Sequence, residues 1–100
     1  MPTYVLLATL SPQGAYNLSL APERLIEVNR EVEALGGRVL RQWGLIGQFD
    51  FLSILEAPDS EAVSRISAEL SARGSSHIEA YTAIPVEELI AETGFGPGIG

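Results

Sequence analysis

The feature that most constrains this chain is the order in which its hydrophobic periodicity changes. Strand-like and helix-like stretches follow one another as β-α-β-β-α-β. Thr3–Leu10 is an apolar run with β-branched and aromatic residues and little alternation, as suits a central strand buried on both faces. Ser11 then stands as a helix N-cap, with Pro12 at the first helical position. Ala21-Pro22-Glu23 marks a second start. Over residues 22–35, Leu25, Val28, Val32 and Leu35 recur at spacings of three and four, a stripe that Ile26 widens. Gly36-Gly37 closes the helix.

Residues 38–46 and 49–57 read as the next two strands, joined by a tight type II′ turn at Gly47-Gln48. Pro58-Asp59-Ser60-Glu61 ends the strand and caps a helix running to about Arg73, with Ala62, Val63, Ile66 and Leu70 as its apolar stripe. Glu61–Arg65 and Glu69–Arg73 stand at the i, i+4 spacing of surface ion pairs. Residues 76–84 form the fourth strand, with His77, Glu79 and Tyr81 on one face and Ile78, Ala80 and Thr82 on the other. A short helix begins at Pro85, and residues 94–100 are too rich in glycine for regular structure.

One hairpin and two helical crossovers have a preferred solution. Right-handed crossovers place both long helices on one face of a four-stranded antiparallel sheet, the ferredoxin-like α+β fold. The expected organisation is one domain over residues 2–92 and a tail over 93–100. The hairpin assigns the faces: Arg41, Trp43, Leu52 and Ile54 share one, and Leu40, Gln42, Phe49, Phe51, Ser53 and Leu55 the other. Both hold large apolar groups, yet the helices cover one. A homo-oligomer is the expectation, burying about 800 Å² per partner.

Composition narrows the function. The chain carries a formal charge of −7, and its six basic residues are arginines scattered along it. Nucleic-acid binding needs a concentrated basic surface, so no nucleic-acid partner is expected. The absence of cysteine excludes thiol catalysis, disulfides and thiolate metal sites. No apolar run approaches a membrane span and the N-terminus lacks the pattern of a signal peptide, so the expected setting is the cytoplasm, with no membrane partner. The glycines at 94–100 follow a helix and include no lysine, unlike a phosphate loop, and no cofactor or metal is expected.

The chain resembles the GYD-domain proteins. The resemblance rests on the start Met-Pro-Thr-Tyr-Val-Leu-Leu, Ser11-Pro-Gln-Gly, Pro22-Glu-Arg-Leu, Leu35-Gly-Gly-Arg-Val, the hairpin Gly47-Gln-Phe-Asp50 and Glu56-Ala-Pro-Asp59, and spans roughly residues 2–90. The family's signature tyrosine is Phe49 here, which removes a hydroxyl. The resemblance implies a dimeric α/β-barrel, in which two open sheets pack face to face. It brings no catalytic residue with it.

Two readings stand beside each notable residue. Gly47, Phe49 and Asp50 form either a binding element or a hairpin whose Asp accepts local hydrogen bonds. His77, with Glu79 and Tyr81 on its strand face, is either a general base in a pocket or an exposed or interfacial residue. Gln42, Ser53, His77, Glu79 and Tyr81 are the candidates for lining a ligand pocket. The leading hypothesis is a non-catalytic, self-associating module that holds a small molecule, similar in fold to the ligand-sensing domains of Lrp/AsnC regulators. The alternatives are a cofactor-independent isomerase or monooxygenase, which requires those side chains inside an apolar cavity, and a structural or cargo protein recruited through its tail.

Overall fold

The computed structural model describes residues 1–93, and the expectations for the tail at 94–100 lie outside them. The elements run β1 (Thr3–Leu10), α1 (Pro12–Leu20), α2 (Arg24–Ala34), β2 (Arg38–Gly44), β3 (Phe51–Glu56), α3 (Ser60–Ser71), β4 (Ser76–Ala83) and α4 (Val86–Thr93). The strands form one antiparallel sheet in the order β2-β3-β1-β4. This is the ferredoxin-like α+β arrangement expected from the element order.

The first crossover is two helices, because Pro22 cannot continue α1. Ser11 caps α1 as its spacing implies, accepting from the Gly14 N–H at 3.0 Å. Gly14 is buried for a different reason. A Cβ there would stand 2.1 Å from the Ser75 carbonyl oxygen, so only glycine lets α1 approach the turn that leads into β4. Ser11 fixes the same junction by donating its own N–H to the Ser75 carbonyl at 3.0 Å. Gly36, at φ +99°, terminates α2 in the left-handed region.

Asp59 caps α3 through the Ala62 N–H at 2.9 Å, and all four residues of the α3 stripe are buried. They pack with Tyr4, Leu6, Val32, Leu55 and Ala57 in one core between the helices and the sheet. Ile26, expected to widen the α2 stripe, is 57% exposed, because Val28, Val32 and Leu35 already fill the side turned to the sheet. Arg73, two residues beyond the end of α3, pairs with Glu31 of α2 rather than with Glu69, tying the segment after α3 to α2. Both side chains are well exposed, so the link contributes little stability.

The β2–β3 connection differs from the expected tight turn. The register is as read, with Trp43 opposite Leu52 and Gln42 opposite Ser53. The ladder, however, stops at Gly44–Phe51, followed by one further bond from the Leu45 N–H to the Asp50 carbonyl at 2.8 Å. The loop is wider than two residues because Asp50 is drawn toward β1. A bulge lies between Val39 and Arg41, so Leu40 is the extra residue and is exposed. Val39 therefore packs against the core, and Leu40 does not share the buried face with Gln42.

Gly14→Ala should destabilise the fold by about 1–3 kcal/mol in urea denaturation, reversing the usual helical preference for alanine. Gly44→Ala, whose Cβ would meet Phe51 at an ordinary 3.9 Å, should change stability far less.

Candidate functional site

The sheet turns two different surfaces outward. Residues paired across strands share a face, so the register assigns each side chain. The helix-covered face carries Tyr4 with Leu55 and Thr82, Leu6 with Ser53, Gln42 and Ala80, and Ala8 with Phe51 and Ile78. The uncovered face carries Val5 with Ile54, Arg41 and Tyr81, Leu7 with Leu52, Trp43 and Glu79, and Thr9 with His77.

The uncovered face is apolar at its centre and polar toward one edge. Val5, Leu7, Leu52 and Ile54 are half-buried by their neighbours in the sheet, and Trp43 and Tyr81 are 42% and 48% exposed. The Arg41 guanidinium lies over the Trp43 ring at 5.1 Å from its centroid, which holds the indole in place. On β4 the Tyr81 hydroxyl donates to Glu79 Oε1 at 2.7 Å. That hydrogen bond, and the carboxylate charge beside it, raise the Tyr81 phenol above its ordinary value. His77 is exposed, one strand position beyond this pair.

On the other side of the sheet, a cleft of about 320 Å³ opens between β1–β3 and the helices α1 and α2. Its walls are mostly apolar, from Leu6, Leu25, Val28, Val39, Phe51 and Ile78. Three polar side chains converge within it. The Gln42 amide donates to Ser53 Oγ at 2.9 Å and to Asn29 Oδ1 at 3.3 Å, and Asn29 returns a bond to Gln42 Oε1 at 3.0 Å. Ser53 is nine-tenths buried. Arg24, Glu27, Glu31 and Arg73 line the same cleft and supply charges of both signs.

The five pocket candidates are thus divided. Gln42 and Ser53 lie together in the cleft, while His77, Glu79 and Tyr81 lie on the opposite side of the sheet. The strand register produces this division: Ser53 pairs with Leu6 and Gln42 on the covered side, while Tyr81, Glu79 and His77 pair with Val5, Leu7 and Thr9 on the other. Asn29 was not among the candidates. Its signal is a polar residue four positions after Leu25 and three before Val32, inside the apolar stripe of α2.

Asp50 does not make the local hydrogen bonds of a simple turn. Its Oδ2 accepts from the Leu10 N–H at 2.7 Å, and its own N–H donates to the Ala8 carbonyl at 2.8 Å. The carboxylate therefore holds a backbone amide forty residues away, where β1 gives way to α1. Gly47 is exposed with φ +152°, and Phe49 is half-buried.

The model of the GYD domain matches residues 4–92, and the chain belongs to that family. A protein of Thermus thermophilus described as a glutamine synthetase and cystathionine beta-lyase binding protein is 44% identical over 92 residues, covering 91% of this chain and 97% of the relative. The hairpin that carries the family resemblance, Gly47 to Asp50, is here the latch on the end of β1.

Asp50→Ala should cost about 1–3 kcal/mol by leaving the Leu10 amide without its acceptor, while Asp50→Asn, which keeps an acceptor oxygen, should lose less; chemical denaturation measures both. Glu79→Gln should bring the Tyr81 titration down toward the ordinary phenol value, read by phenolate absorbance in alkaline titration.

Proposed function

We propose that this member of the GYD-domain family is a non-catalytic binding protein that associates with enzymes of amino-acid metabolism, and that it does so as a homo-oligomer in the cytoplasm. The observation that carries the reading is the uncovered sheet face. Val5, Leu7, Trp43, Leu52, Ile54 and Tyr81 form an apolar surface that α1, α2 and α3, packed on the other side, do not cover. A contiguous apolar face of this kind marks an association surface.

A second copy of the chain is its proposed cover, sheet against sheet. Such a pairing places the apolar side chains in a dry centre and leaves His77, Glu79 and Arg38 at the polar rim. The Tyr81 hydroxyl already donates to Glu79, so Tyr81 enters an interface without leaving a lone buried hydroxyl.

The choice of partner enzyme is supported by the relative. It matches nearly the whole chain at 44% identity, and its description names glutamine synthetase and cystathionine beta-lyase as what it binds. The same class of partner is proposed for this chain. The net charge of −7 gives the assembly an acidic exterior, which would select a complementary basic patch on the enzyme.

Light scattering after size exclusion should report a multiple of the chain mass for the native protein and a monomer for Leu52→Asp, which sets a charge in the middle of the face. A native protein that stays monomeric at high concentration would remove the oligomer. Mixing the native protein with purified glutamine synthetase or cystathionine beta-lyase of its own organism should give a co-migrating complex, and failure with both would sink the enzyme-binding reading.

A further inference from the structure

The cleft on the helix side of the sheet has no part in the association just described, and it has the make-up of a ligand site: a concave, mostly apolar enclosure with a few convergent polar groups. Its volume of about 320 Å³ lies at the lower end of the range for small-molecule sites. That suits a small metabolite.

The hydrogen-bonding capacity left over at its floor specifies the ligand. Gln42 spends both Nε2 hydrogens, one on Asn29 and one on Ser53. Among the described residues, five capacities remain uncommitted: the Ser53 hydroxyl proton, one Nδ2 hydrogen of Asn29, and one lone pair each on Gln42 Oε1, Asn29 Oδ1 and Ser53 Oγ. Two are donors and three are acceptors, grouped on side chains already bonded to each other. A primary carboxamide answers this set, its oxygen accepting from Ser53 or Asn29 and its NH₂ donating to Gln42. A carboxylate does not, because it has no proton to offer the amide oxygen and would leave that oxygen facing a negative charge.

The rest of the cleft narrows the class further. Leu25, Val28 and Phe51 form apolar walls along which a methylene stem can lie, and Arg24 and Glu27 bring charges of opposite sign to the same cleft. A free amino acid presents a carboxylate and an ammonium group together. We propose that the cleft formed by α1, α2 and the sheet binds a free amino acid with a side-chain carboxamide, the amide seated on Asn29, Gln42 and Ser53 and the zwitterionic end toward Arg24 and Glu27. The site does not rest on the enzyme-binding reading, since the two use opposite faces of the sheet.

The test is a titration of the native, full-length protein with L-glutamine, followed by nitrogen–proton NMR. The side-chain amide signals of Asn29 and Gln42 should move saturably while the Trp43 indole signal on the opposite face stays in place. L-glutamate should bind at least about tenfold more weakly, as expected for a buried hydrogen-bonding site facing a mismatched group. Asn29→Leu should weaken glutamine binding by about tenfold or more with a native-like spectrum, and Ser53→Ala, which removes a single donor, gives the same readout if the larger change unfolds the chain. Three outcomes would overturn the proposal: no saturable shift up to about 10 mM, an equal response to glutamate, or shifts centred on Trp43 and Tyr81.

Discussion

The structure depends on a mismatch between a sheet that is apolar on both sides and helices that reach only one. Right-handed crossovers leave no choice in this, because they return α1–α2 and α3 to the same side of the strands. On that side Leu55 and Ile66 are fully buried, and the core is continuous from Tyr4 to Leu70. On the other, Trp43 and Tyr81 stand in the open beside half-buried Val5, Leu7, Leu52 and Ile54. The apolar character of β1, which first marks it as a central strand, is also what leaves the uncovered face without a solvated surface.

The covered side is not packed throughout. α3 meets the sheet through four buried apolar residues, whereas α2 contributes Val32 to the core and then Asn29 to a polar cluster. Where a fourth apolar contact would have closed the layer, Asn29, Gln42 and Ser53 hold one another around a cleft. Buried amides and hydroxyls are tolerated when bonded, and this cluster satisfies itself while keeping some capacity toward the opening.

Two local devices adjust this frame. The bulge at Leu40 shifts the alternation of β2 before Arg41, so that Val39 turns to the core and Leu40 is left exposed. The Asp50 carboxylate latches the β2–β3 loop onto the end of β1, close to where Ser11 and Gly14 bring α1 against Ser75. The family motifs around Gly14 and Asp50 thus both act at the β1–α1 junction, and their residue types follow from backbone geometry there: no room for a Cβ at one, an amide in need of an acceptor at the other.

Much of the fold was legible in the sequence because it rests on local physics. Periodicity placed β1, α2 and α3; Ser11, Asp59, Pro12 and Gly36 marked helix ends through capping and fixed φ; and the short hairpin set the register of Trp43 against Leu52. The alternation of β4 put His77, Glu79 and Tyr81 together, as they are. What tertiary structure alone decided are facts about residues distant in the chain. A bulge carries no residue code, so the inward packing of Val39 and the exposure of Leu40 were not readable. Gln42 and Ser53 could be nominated from polarity, but their union with Asn29 needs α2 laid across the sheet. Asp50 read as a turn residue because its acceptor capacity is visible in sequence, while the amide it serves, on Leu10, is brought near only by the pairing of β1 with β3.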